Sequence, residues 1–181
     1  MTHAVVNADK IHATHQDADV RPVISTGCAI DNGNIFSLNG KYATSGSGVE
    51  VWAVTLPSTG SLVGLWMALE PEQPFLMSGT NMYRGLGTIQ DFYNPAGQVF
   101  TAVKFVAGDI FSITSDGLKG SHTTGSYIVA ADGETKWVWA ATPAASAAYA
   151  QFVNTTYVSI PDGTIGTQRV TEYQFEVKSN S

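Results

Sequence analysis

The last segment of the sequence alternates between apolar and polar residues with a period of two. From Arg169 onward one set of positions is apolar or aromatic and the other is polar: Thr171, Tyr173, Phe175 and Val177 against Glu172, Gln174 and Glu176. Successive side chains of a β-strand point to opposite faces, so this pattern predicts a strand with one buried face and one solvent-exposed face. We expect Tyr173 and Phe175 to lie in the core and the glutamate-lined face to lie in solvent.

The rest of the chain indicates further short strands separated by turns. Glycine-containing turn signals recur between apolar segments, at residues 31–34, 39–40, 108–109, 131–133 and 161–163. Residues 126–130 and 135–140 form a predicted hairpin, and residues 144–150 form the one predicted short helix. Strands spaced by about ten residues are typical of a sandwich or a barrel. The sequence predicts an all-β protein with a single antiparallel β-sandwich or barrel domain.

The first residues differ from this pattern. Residues 1–19 contain three of the four histidines and no aromatic residue, and their apolar positions are thinly spaced. We therefore predict that residues 1–21 are an extended N-terminal arm, mobile by itself or extended along a partner, and that residues 22–181 are the β domain.

Charge and hydropathy exclude several classes of protein. The net charge is −6 with nine scattered basic residues, which argues against a nucleic-acid interface. The longest apolar segment, residues 61–69, is far shorter than the roughly 20 residues that span a bilayer, and no secretory signal is visible. We expect a protein made in a cytoplasm, without a membrane partner. Cys28 is the only cysteine, which excludes an internal disulfide, and we expect it to be a small buried residue.

The sequence contains no recognisable catalytic or metal-binding motif. His12 and His15 are three residues apart, but Ala13 stands where a zinc-protease helix would have its glutamate. There is no G-x-S-x-G element, and His122 lies in a polar loop. The glycine pairs at 46–48 and 85–87 lack the remaining residues of a phosphate-binding loop. We expect no catalytic residues, no metal site and no cofactor.

Trp137 and Trp139 allow two interpretations. Being two residues apart on a predicted strand, they share one face. That face either packs into the core or onto a neighbouring subunit, or forms a platform on which a sugar ring stacks.

Several segments together resemble the head decoration, or cement, proteins of tailed bacteriophages. The resemblance covers roughly residues 49–177. It is carried by the residue pattern of predicted strands and turns at residues 59–68, 81–86, 97–102, 108–110, 156–160 and 165–171. It implies a non-enzymatic structural protein of the virion. Such a protein binds the major capsid protein on the outside of the assembled head and stabilises it by bridging coat subunits. It also binds other copies of itself where it forms a homo-oligomer, for which a trimer is one option.

We expect the arm to supply the capsid contact by adding as a strand to an exposed sheet edge of the coat protein. Its candidate binding residues are the apolar ones: Val5, Val6, Ile11, Val20, Val23 and Ile24. The alternative function is a carbohydrate- or receptor-binding β module of a virion, with Trp137 and Trp139 as the glycan-binding residues.

Overall fold

The computed structural model describes residues 2–11, 19–42, 50–70, 75–78, 81–84, 89–122, 126–143, 146–161 and 166–181, with only the backbone described for residues 9–10, 75–78, 81–84 and 161. Strands dominate, as predicted, and the only helical elements in these ranges are single 3-10 turns. The strands are β1 (Val6–Lys10), β2 (Val20–Ile24), β3 (Ile35–Lys41), β4 (Trp52–Thr55), β5 (Trp66–Ala68), β6 (Phe75–Ser78), β7 (Asn81–Arg84), β8 (Val99–Lys104), β9 (Ile110–Thr114), β10 (Leu118–Lys119), β11 (Tyr127–Val129), β12 (Trp137–Ala140), β13 (Tyr149–Pro161) and β14 (Thr167–Ser179).

Two sheets build the body of the protein. A seven-stranded sheet has the order β1-β9-β14-β13-β11-β12-β10, and five other strands close into a barrel in the order β2-β4-β3-β5-β8. The hairpin β6–β7 forms a separate two-stranded sheet. The all-β prediction is confirmed, with a sheet and a small barrel combined. Two strand pairs, β2–β4 and β10–β12, are parallel, so the antiparallel prediction holds for the other pairings. The predicted helix at 144–150 is wrong for residues 146–150, because none of them is helical and Tyr149 begins β13, while residues 144–145 lie outside the described residues.

Barrel strands β3, β5 and β8 each have apolar residues on both faces. Phe36, Trp66 and Ala102 point into the barrel and belong to its interior cluster. Their neighbours Ile35, Met67 and Val103 belong to the larger cluster that also contains the apolar side chains of the seven-stranded sheet. Adjacent residues of a strand point to opposite faces, so each of these strands contributes to both cores. The barrel therefore packs with its outer face against the sheet.

Aromatic rings fill the core between barrel and sheet. Trp137 is fully buried, with ring centroids 5.4 Å from Phe105 and 6.0 Å from Phe111. Phe175 of the closing strand lies 5.9 Å from Phe111 and is also fully buried, as is Val177. These two residues of β14 occupy the positions that the sequence alternation predicts.

The opposite face of β14 departs from the prediction. Glu172 is 3% exposed, although the alternation places it on the solvent face. β14 lies between β9 and β13, and Asn7 of β1 donates from Nδ2 to both carboxylate oxygens of Glu172 at 2.9 and 3.0 Å. A buried carboxylate needs such donors, and this one receives them from a residue far away in sequence.

Buried asparagines tie the barrel to the sheet. Asn180 donates to the carbonyl oxygens of Leu65 and Phe105 at 2.9 and 2.7 Å, and its Oδ1 accepts from the Leu65 amide at 2.9 Å. Asn94 donates to the Ile30 carbonyl at 2.9 Å in a buried loop of the barrel. These bonds satisfy backbone groups that no strand ladder reaches.

Gly33 marks the closest approach of a barrel loop to the sheet. Its φ is +81°, and a Cβ added there would lie 2.5 Å from both Ile113 Cδ1 and Val6 Cγ2. The turn before β3 can therefore approach β1 and β9 this closely only with glycine at this position.

Gly33→Ala is expected to destabilise the protein by about 1–3 kcal/mol more than Gly97→Ala does, because overpacking adds to the backbone strain. Gly97 is the matched control, since its φ is +80° and nothing lies within 4 Å of a Cβ added there. Urea unfolding of both variants measures the difference. Equal losses would show that the loop does not press on Ile113 and Val6.

Candidate functional site

The first residues of the chain are part of the β domain, which corrects the interpretation of residues 1–21 as an arm. β1 pairs antiparallel with β9, with Val6 opposite Ile113, and Val5 exchanges hydrogen bonds with Thr114. Val5, Val6 and Ile11 are 1%, 6% and 3% exposed. Because their side chains pack against this chain's own core, these three are not a free apolar surface. His12 and His15 fall outside the described residues.

The other predicted arm residues are strand residues of the barrel. Val20, Val23 and Ile24 lie in β2, which pairs with β8 and β4. Val23 is fully buried inside the barrel, and Val20 packs against the larger core. Within residues 1–21, β1 is an edge strand of the seven-stranded sheet. Its backbone is therefore the part of the predicted arm that can pair with a strand of a partner.

Val6→Ala is expected to cost about 2 kcal/mol of unfolding free energy, because it removes two buried methyl groups and leaves a cavity. The matched control is Val153→Ala, the same substitution at a side chain that is 51% exposed, and we expect almost no loss there. Denaturant unfolding checks both. If the Val6→Ala protein were as stable as the control, the interpretation of residues 1–21 as an arm would be restored.

Trp137 and Trp139 share one face of β12, as predicted, and that face is the core. Trp137 is fully buried and Trp139 is 8% exposed. Trp139 packs against Phe175 at 5.2 Å, and the exposed His122 lies over it at 5.1 Å. Neither indole presents a flat face to solvent, so the structure corrects their assignment as a sugar-binding platform.

The longest hairpin of the molecule extends beyond the rest of its sheet. β13 and β14 each have 13 residues. β11 pairs only with residues 149–151 of β13, and β9 only with residues 172–176 of β14. We call the remainder, residues 153–161 and 167–171, the strand ribbon. In the described part of the chain, no strand pairs with the outer edges of this ribbon.

One face of the ribbon continues the aromatic face of the sheet. Tyr173 lies opposite Thr155, Thr171 opposite Tyr157, and Arg169 opposite Ser159, so these pairs form successive rows on the same side. The Tyr157 ring is 53% exposed, and the guanidinium of Arg169 lies 3.9 Å above its centroid. We call the surface formed by these rows the aromatic ribbon face; its main side chains are His122, Phe152, Tyr157, Arg169 and Tyr173.

The sheet end of this face is a cluster of rings. The imidazole of His122 stacks on Tyr173 at 5.2 Å with an angle of 17°, and it meets the edge of Phe152 at 4.7 Å. Phe152 and Tyr173 are half-buried and His122 is exposed. Trp139 and Phe175 are buried in the larger core, whereas Tyr173 beside them is half-buried and Tyr157 farther along is exposed. Such a surface suits stacking and burial against a partner.

No group of three or more His, Cys, Asp or Glu side chains in the described ranges is arranged to hold a metal ion. His3 Nδ1 lies 2.7 Å from Asp31 Oδ1, and its ring stacks on Tyr93 at 4.7 Å, so this pair anchors the start of the chain. Cys28 is exposed, which corrects its expected burial. In the ranges described, no helix is long and apolar enough to cross a membrane.

Sequence reasoning missed the aromatic ribbon face. Tyr157 lies between Thr156 and Val158 in the sequence, a setting that also suits a core residue, so nothing local indicates that its ring is exposed. The one available signal is length, because residues 149–160 and 167–177, on either side of the turn at 161–163, contain no proline or glycine that would end a strand. Tyr173, predicted in the core, is half-buried at the boundary of this face.

No family model matches the sequence, and no curated protein or solved structure gives a significant match. The class that the structure itself defines is an all-β protein in which a seven-stranded sheet packs on a small closed barrel.

Proposed function

We propose that this protein is a structural protein of a phage virion that binds the outside of the assembled capsid and bridges its coat subunits. The observation that carries the proposal is the aromatic ribbon face, above all the exposed Tyr157 ring with Arg169 stacked on it. The resemblance of residues 49–177 to head decoration proteins supports the same role. The partner is the major capsid protein, and the protein acts as a binding module without an enzymatic reaction.

The residue types of this face are those that dominate binding energy at protein interfaces. Tyrosine and arginine are enriched among hot-spot residues, whereas serine, threonine and valine contribute less. Tyr157 and Arg169 are already stacked in the free protein, so part of the ordering of the Arg169 side chain precedes binding. The threonines around them supply a flat surface that excludes water.

The charge of the ribbon favours a neutral or acidic partner surface. Residues 153–161 contain no charged side chain, and Arg169 is the only one in residues 167–171, although the chain as a whole carries −6. A partner presenting carboxylates therefore meets attraction at the ribbon and repulsion elsewhere, which orients docking.

The edges of the ribbon, with which none of the described strands pairs, offer a second kind of contact. Strand addition there would give backbone hydrogen bonds, while the face supplies side-chain specificity. Many copies on a repeating lattice stabilise it collectively, because each binds the assembled form in preference to free coat subunits. A second copy of this chain can use the same edge, which makes a homo-oligomer on the lattice part of the proposal.

The test is cosedimentation of the purified protein with phage heads that lack it. Tyr157→Ala and Arg169→Ala are each expected to weaken binding about tenfold or more, since truncating hot-spot residues costs at least about 2 kcal/mol. Leu56→Ala is the matched control, because Leu56 is 50% exposed and lies after β4, away from the ribbon. Thermal unfolding should be nearly unchanged in all three variants.

If both ribbon variants bound heads as well as the control does, the proposal that the aromatic ribbon face binds the capsid would be refuted. The same proteins on a glycan array test the alternative, a carbohydrate- or receptor-binding module of a virion. The exposed ring of Tyr157 is the observation that favours that alternative. Sugar binding that is lost in Tyr157→Ala, without any binding to heads, would replace the capsid role by the glycan role.

A further inference from the structure

An arginine lies between two tryptophans at one end of the barrel. The guanidinium carbon of Arg21 is 4.1 Å from the ring centroid of Trp52 and 5.1 Å from that of Trp66. Both indoles pack with the barrel-interior cluster, and Arg21 is half-buried against them. The side chain therefore has a defined position, with its charge held by ring faces.

A second cation lies on the same face beside it. Arg21 is opposite Ala102 in the β2–β8 ladder, and Lys104 is opposite Trp66 in the β5–β8 ladder. Lys104 is two residues from Ala102 and thus points to the side of the sheet that Arg21 occupies. Lys104 also lines a cleft of about 360 Å³ beside this end of the barrel.

Neither cation has an anionic partner in the parts of the chain described here. The ion pairs found there involve other residues, and Asp19, which precedes β2 at this end, forms none with Arg21 or Lys104. The N–H donors of Arg21 likewise have no protein acceptor among the described residues. Arg21 and Lys104 are both half-buried, so each is less hydrated than a fully exposed cation, and an anion between them would be attracted to both.

We propose that this end of the barrel is an oxyanion-binding site, in which Arg21 holds a phosphate, sulfate or carboxylate group and Lys104 adds a second charge-assisted contact. A guanidinium presents paired donors that match the two oxygens of such a group, and the two indoles fix its plane. The site lies on elements other than the strand ribbon, so the inference goes beyond the proposed capsid role and does not depend on it.

The ligand is either a free anion or an anionic group carried by a sugar. The indole edge of Trp52, which is half-buried, offers an apolar surface next to the anion, and a sugar ring would gain from that contact. Tighter binding of glucose 6-phosphate than of inorganic phosphate identifies the sugar-borne group, and equal binding identifies the free ion.

The experiment is a tryptophan-fluorescence titration with inorganic phosphate and with glucose 6-phosphate at constant ionic strength, with sodium chloride as the reference. Trp52 and Trp66 are in contact with Arg21, so their emission reports on the site. We expect a saturable change that is about tenfold weaker in Arg21→Gln and intermediate in Arg21→Lys, which keeps the charge but loses the paired donors.

Two further variants keep the result interpretable. Lys119→Gln is the control, a lysine on β10 of the seven-stranded sheet whose charge is paired with Glu134, and it should titrate like the unaltered protein. Lys104→Gln should weaken binding without disturbing the Arg21 stack, which guards against a folding defect in the Arg21 variants. Phosphate should also raise the melting temperature of the unaltered protein. A response equal to that of sodium chloride, or unchanged in both Arg21→Gln and Lys104→Gln, would show that Arg21 only closes the barrel.

Discussion

The structure depends on the contact between the apolar face of the seven-stranded sheet and the outer face of the barrel. Barrel strands β3, β5 and β8 are short and have apolar residues on both faces, so they would expose the apolar residues of one face without the sheet. The sheet would likewise expose Phe111, Trp137 and Phe175 without the barrel. Two layers that each bury the other's surface are stable only together. Gly33 reflects this dependence, because the close packing of a barrel loop on Ile113 leaves no space for a side chain.

The aromatic ribbon face follows from a mismatch in length between these layers. β13 and β14 have 13 residues each, whereas the barrel strands have three to seven. The barrel can therefore cover only part of the face that the long strands present. Rings that lie under the barrel, such as Phe175, become core, and those beyond it, such as Tyr157, become surface. The same alternation thus produces a folding element at one end of the hairpin and an interaction surface at the other.

The sequence predicts what is local and misses what is long-range. The period of two at the end of the chain gives the correct positions of Phe175 and Val177, because strand geometry alone determines them. It fails at Glu172, whose burial depends on Asn7 across the sheet. The arm was predicted from thin apolar spacing, but β1 is held by pairing with β9, and local composition contains no information about such a partner.

The two stacked arginines could not be predicted from the sequence, because each contacts rings that are distant along the chain. They also differ in how strongly water screens their charges. Arg169 lies on an exposed ring, where the stacking contributes at most about 1 kcal/mol and is screened by water. Its pairing with Tyr157 therefore contributes little to folding and leaves both groups available to a partner. Arg21 is half-buried between two indoles, so its charge is only partly hydrated and an approaching anion is screened less. Because the two arginines lie on separate elements and share no contact, changes at one should leave the other unaffected.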